Sequence, residues 1–284
     1  MVTGHAGNQN AAKLTREQKE QLKEVLSRPP SQSGISADFW DVPALADVVR
    51  TKFDVEYESA SSYRLLMRFA GMNFKLPDPF DKRRDEEAIA KRMAQVRQEV
   101  EDLLSDGWEV HAVDEARIEH EAETRRMWLP AGKRTKIYVD PTRNACSFFG
   151  ALSLTTKQVK VYPIEGNQNT EQIISCLTRL VRETGNDKIA VVLDNAGFHH
   201  AKALKEKLAP GGQFENLKLI YLPPYVPDHN PVEHVWNTAK GAIANIQRDT
   251  PEETCTAFMG YISGRAFDYD FEHLPNLTPP HDLV

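Results

Sequence analysis

The aliphatic run Ala190 to Leu193, ending on Asp194, constrains this chain more than any other stretch. Unbroken Val/Leu character reads as a strand buried on both faces, which requires a sheet covered by helices on each side. Asp194 is followed by Asn195-Ala196-Gly197 and a helix expected over 198–208, so strand 188–193 runs directly into a strand-to-helix turn. The same step then repeats. A strand over 217–222 leads through the Pro-rich loop around Pro223-Pro224-Tyr225 into a long helix over 231–246.

Upstream the apolar period changes to two. Trp108, Val110, Ala112 and Asp114 alternate onto one face, placing Asp114 at the end of an otherwise apolar strand. Residues 145–154 and 159–164 read as two further strands, the first expected to be central, and a helix runs from an Asn169 or Thr170 cap to 183, with Gly185 at its C-terminal cap. Three meandering strands followed by strand–helix alternation predict an α/β fold, a mixed sheet flanked by helices.

The first part of the chain is helical in pattern. After a disordered lead-in over 1–13, Thr15 and Gln18 form a capping box for a helix ending before Pro29-Pro30, with a loop over 31–37. Trp40, Leu45, Val48 and Val49 share a helix face, and a further helix over 59–69 stops at Gly71. This reads either as a helix-turn-helix presenting Ser62, Arg64 and Arg68 to DNA, or as a plain helical hairpin with a solvated face. The expected organisation is a helix-turn-helix-like region over 14–75, a linker and long helix over 76–105, the α/β domain over 106–264 and an irregular tail over 265–284.

Net charge is −6, which at first opposes nucleic-acid binding, yet the acidic excess lies beyond residue 100, and local basic clusters decide phosphate contact. One such cluster is the loop over 121–136, where Arg125, Arg126, Lys133, Arg134 and Lys136 surround Trp128. There is no apolar run of about 18 residues and no charged-then-apolar leader, so neither a membrane span nor secretion is expected, leaving the cytoplasm. Cys146, Cys176 and Cys255 are odd in number and widely spaced; they predict neither a disulfide nor a zinc site, only small buried side chains.

Three acids stand where apolar runs stop. Asp194 alone reads as a helix cap, Glu233 as the third residue after an Asn230 cap with Pro231 at the first helical position, and Asp114 as a strand-end acid. Together they supply the oxygen-only ligand set that Mg²⁺ prefers, the helix dipole favouring an ionised Glu233. Lys240 shares a helix face with Glu233 and reads as a phosphate contact or as a surface lysine. His199 and His200 read as packed or solvent-facing.

The order Asp114-Glu115, then LDNAGFHH, then YLPPYVPDHNPVEHVWNTAK, resembles the DDE transposases of bacterial insertion sequences in the mariner superfamily. The resemblance covers residues 108–250 strongly, and residues 14–75 more weakly match the linker and second helix-turn-helix of that family. It implies a ribonuclease-H-like fold, two Mg²⁺ or Mn²⁺ ions, and cutting and joining of double-stranded DNA at terminal inverted repeats by a homodimer or higher assembly. It further implies that Asp114, Asp194 and Glu233 are the catalytic acids, with Asn195, His199 and Asn230 in support. His229 stands where the family usually has an apolar residue, and, set against the resemblance, the chain is expected to lack the first helix-turn-helix. The alternative expectation is therefore a truncated or repurposed relative that binds DNA without transposing.

Overall fold

The computed structural model describes residues 13–75, 81–132, 134–166 and 168–274. Residues 1–12 of the expected lead-in, residues 76–80 of the expected linker, Lys133, Asn167 and the last ten residues lie outside that description. The chain divides into two compact units between residues 79 and 80.

The first unit packs α1 (Arg16–Leu26), α2 (Val42–Phe53) and α3 (Ala60–Phe69) around Leu22, Leu45, Val49, Tyr63 and Leu66. The Thr15 capping box forms as the spacing predicts. Asp41 caps α2 through Ala44 N–H, and Asp54 ends it in the left-handed conformation.

The second unit begins with α4 (Glu86–Ser105) and contains a five-stranded sheet. Its strands are β1 (Glu109–Glu119), β2 (Ala145–Ser153), β3 (Val159–Ile164), β4 (Ile189–Leu193) and β5 (Leu217–Tyr221), in the order β3-β2-β1-β4-β5. β1 pairs antiparallel with β2 and parallel with β4, so β1, not β2, is the middle strand. The helices are α5 (Thr170–Thr184), α6 (Lys202–Leu208), α7 (Pro231–Ile243) and α8 (Pro251–Ile262).

Strand alternation sorts them into two layers. Ile189, Val191 and Leu193 face α5 and α6, while Ala190 and Val192 face α4. On that second face β1 gives Val110 and Ala112 to the α4 cluster, and Ala116 and Ile118 to the α7–α8 cluster. Asp114 is the β1 residue between the two, where the helix cover parts.

The long helix expected in a linker is thus part of the second unit, because Ile89, Met93, Val96, Val100 and Leu103 form a buried stripe against the sheet. Helix α8 was not legible from periodicity, although Thr250 caps it and Pro251 opens it. The tail is irregular in secondary structure, yet Phe267 and Phe271 are buried in the core. Cys146 on β2 and Cys255 on α8 are joined by a disulfide, contrary to the sequence reading. The pair is separated by 109 residues, and spacing carries no signal for a contact made only when α8 packs on β2. Cys176 is free and buried.

His111, on the α5 side of β1, is 2% exposed, and among the described residues neither ring nitrogen has a hydrogen-bond partner. Burial pushes its pKa down to about 4 from 6.5. A folded-state value below the unfolded one means that protons favour the unfolded chain. Its contribution to stability is intact above pH 6.5 and is lost as pH falls toward 4. Denaturant titration at pH 7 and pH 4.5 is expected to show His111→Phe losing about 2 kcal/mol less between the two than the parent chain does.

Candidate active site

Parallel pairing of β1 with β4 stops at Ala112 and Val192. Two residues further along the same face, Asp114 lies within β1, which continues to Glu119 instead of ending at the acid as expected, and Asp194 sits just past β4. Glu233 enters from the first turn of α7. Asp114, Asp194 and Glu233 line one cavity of about 450 Å³, together with Asn195, Asn230 and the loop from Leu222 to Pro227.

Each acid is held by a different device. Asp114 Oδ2 accepts from Trp236 Nε1 at 3.0 Å. Asp194 Oδ1 accepts from Ala196 N–H at 2.9 Å and lies 2.9 Å from His199 Nδ1. Asn230 caps α7 through Val232 N–H and donates its Nδ2 to Val113 O at 3.0 Å, tying the start of the Glu233 helix to β1 beside Asp114. The expected capping box is not made: Asn230 N–H bonds Pro227 O, which leaves the Glu233 carboxylate for the cavity.

The electrostatics are those of crowded negative charge. Burial, and then Glu233, Glu115 and Asp194, push the Asp114 carboxyl well above its ordinary range. Burial also raises Glu233, with Lys240 opposing it and Asp114 within hydrogen-bonding reach. Asp194 goes the other way. Burial works against its charge, but His199 and the Ala196 N–H outweigh it and hold the carboxyl below the usual range. His199 itself is buried, which disfavours its charge, yet its bonds to Asp194 and Glu115 lift it to about 9. His199 therefore has carboxylate partners that sequence spacing did not show, whereas His200 stacks on Tyr221.

Among the described residues, no three acidic, histidine or cysteine side chains stand close enough to enclose an ion as they lie. In kind the donors fit a hard divalent cation, since three carboxylates share one cavity and the most buried of them is raised for want of countercharge.

Arg84 grips the far wall, donating to Tyr225 O and to Asp228, while Arg92 bonds Tyr221 O. Tyr225 has φ 63°, a left-handed conformation rare for a bulky residue, with the Arg83 guanidinium 4.3 Å from its ring centre. None of these three arginines stands out in the sequence, and Tyr225 does so only as part of the Pro-rich loop. Trp236 stands in the sequence only within the quoted HVWNTAK run; its signal is that a buried indole N–H needs an acceptor.

The other expected contacts do not converge on this cavity. Lys240, half-buried on α7, lines a separate one with Arg117 and Arg248. Arg126 and Arg134 are exposed on the irregular segment between β1 and β2, beside the fully exposed Trp128. Arg64 and Arg68 are exposed and Ser62 half-buried on α3, in the first unit.

The family model described as DDE superfamily endonuclease matches residues 109–254, just over half of the 284. The chain belongs to the DDE superfamily endonucleases. A second model, winged helix-turn-helix, matches residues 36–96. The DDE fold is borne out in three dimensions. The Mos1 strand transfer complex gives a TM-score of 0.60 at 14% identity, over 89% of this chain and 72% of that one. The Mos1 paired-end complex with left transposon end gives 0.61 at 14% identity, over the same shares of 89% and 72%. The mariner Mos1 paired-end complex with Mg gives 0.52 at 15% identity, over 79% and 71%. The mixed sheet and its helices are thus the ribonuclease-H-like fold expected for this DDE endonuclease, behind a helical N-terminal region. No curated protein matches the chain by sequence. Among the described residues no helix is long and apolar enough to cross a membrane.

Proposed function

We propose that this DDE endonuclease is a transposase that cuts and rejoins double-stranded DNA at the terminal inverted repeats of an insertion sequence. The observation carrying the reading is the single cavity lined by Asp114, Asp194 and Glu233, in which Asp114 is crowded by the other carboxylates. These three would hold two Mg²⁺ or Mn²⁺ ions. Bound there, divalent ions supply activation of a water or 3′-hydroxyl and stabilisation of the leaving oxygen in phosphodiester transfer.

The chain's own residues do the rest. Trp236 N–H and the Asn230 bond to β1 fix Asp114 and the start of α7 relative to one another. Asn195 donates to Leu222 O, joining the end of β4 to the loop that walls the cavity. Lys240 eases the charge on Glu233 and would meet a phosphate from the neighbouring cavity that it lines with Arg117 and Arg248. Arg126 and Arg134, with Lys133 of the same segment, contact the DNA backbone, and α3 presents Ser62, Arg64 and Arg68 to the element end. Two copies or more hold paired ends, as the paired-end assembly of the Mos1 relative supports.

Nicking of supercoiled plasmid carrying the element ends tests this reading. The parent chain is expected to nick in Mg²⁺ and not in EDTA, with Asp194→Ala slower by about 10³-fold or more. DNA binding without metal-dependent nicking by the parent would instead favour a relative that binds ends but does not transpose.

A further inference from the structure

Asp114 and Glu115 are adjacent on β1 and so point to opposite faces of the sheet. Glu115 is on the α5 side, its side chain 6% exposed, and nothing places it in the cavity that holds the three acids. It nevertheless reaches that cavity through one intermediary. His199, in the short 3₁₀ turn after β4, has a side chain only 1% exposed, with Nε2 3.4 Å from Glu115 Oε1 and Nδ1 2.9 Å from Asp194 Oδ1. Phe198 meets the imidazole edge-on at 4.5 Å, and His199 O accepts from Tyr221 O–H at 3.0 Å, so ring and backbone are both fixed.

We infer that Glu115 is a positioning residue for the metal site, acting through His199 to hold Asp194 Oδ1 so that Oδ2 is the oxygen left for the cation. The inference rests on the metal reading above. Ala196 N–H donates to Oδ1, and His199 Nδ1 stands 2.9 Å from the same oxygen while also bonding Asp194 O at 3.3 Å; a carboxylate whose one oxygen is engaged from two sides has a set rotamer and a single free ligand atom. Glu115 does for the imidazole what a carboxylate does for a ligating histidine, except that here the ligand being oriented is itself an acid. Because Glu115 works from the far side of the sheet, it adds its charge behind Asp194 without occupying space in the cavity.

Mn²⁺ affinity, measured by electron paramagnetic resonance on the DNA-free full chain, tests this. Glu115→Met keeps the volume and removes the acceptor; it is expected to weaken Mn²⁺ binding about tenfold or more, while Glu115→Gln, which keeps an oxygen for Nε2, stays within about threefold. In a His199→Asn background, where an amide donor remains near Nδ1 but no longer reaches Glu115, Glu115→Met is expected to cost nothing further. Equal affinity in Glu115→Met and parent overturns the inference, as does the same tenfold loss in the His199→Asn background, which would make Glu115 act directly. If Glu115→Met does not fold, His199→Asn against His199→Leu reads the link from its other end. Asn retaining affinity where Leu loses it supports the inference, and equal losses overturn it. A parent chain that binds no Mn²⁺ overturns the metal reading, and this inference with it.

Discussion

Asp114→Asn is expected to raise the melting temperature of the metal-free protein by about 2–5 °C while abolishing Mg²⁺-dependent nicking. The carboxyl is pushed up by burial and then by Glu233, Glu115 and Asp194, so at neutral pH its charge opposes folding. A folded-state pKa above the unfolded one means that the penalty is absent below the unfolded value of 3.8 and grows as pH rises past it. Asparagine is the neutral isostere and still offers Trp236 Nε1 an acceptor, so it sheds the repulsion and keeps the bond. The same change removes an oxygen ligand, and a loss on the order of 10³-fold or more in nicking follows. Added Mn²⁺ should raise the melting temperature of the parent and not of the variant, since an ion that binds only the folded state stabilises it by mass action. Differential scanning calorimetry with and without Mn²⁺ reads both effects.

Gly150→Ala is expected to cost about 3 kcal/mol or more, a fall in melting temperature on the order of 10 °C, from a single methyl. Gly150 pairs with Asp114 across the β1–β2 ladder, and the Trp236 ring lies against it. A Cβ there would overlap ring atoms Cη2 and Cζ2 of Trp236, which is 1% exposed and packed against Phe258, so the ring has nowhere to retreat. Any shift it does make lengthens the 3.0 Å bond to Asp114 Oδ2. Urea denaturation should show the loss, and Trp236→Leu should recover part of it by opening space, while leaving nicking low because the indole donor is gone. A Gly150→Ala protein as stable as the parent would mean that the indole is not seated as described.

The sequence announced the layered sheet because its strongest signals are local: the Ala190–Leu193 run, the strand-to-helix step after it, and Asn230-Pro231 opening a helix. It pointed to three acids because Asp194 follows a strand, Glu233 opens a helix and Asp114 ends the apolar run of one strand face. What stayed hidden depends on contacts between distant segments. The Cys146–Cys255 pair, Arg84 on the Tyr225 loop, Trp236 on Asp114 and Glu115 on His199 each join residues 84 or more positions apart. The long charged helix α4 misled for a related reason. Its mixed charge reads as a solvated face, while the narrow apolar stripe that seats it shows its purpose only once a sheet lies beneath. Helix α7 also ends earlier than its apolar period predicts, at Ile243, because Asn245 turns left-handed at φ 64° and its backbone and side chain take up Glu123 and Arg125 instead.

The most direct test of the account is a crystal of the full chain soaked in Mn²⁺ and measured at the manganese edge. An anomalous peak is expected in the cavity lined by Asp114, Asp194 and Glu233, and its disappearance in Asp194→Ala. No peak at those carboxylates, or a peak unchanged by Asp194→Ala, would contradict it.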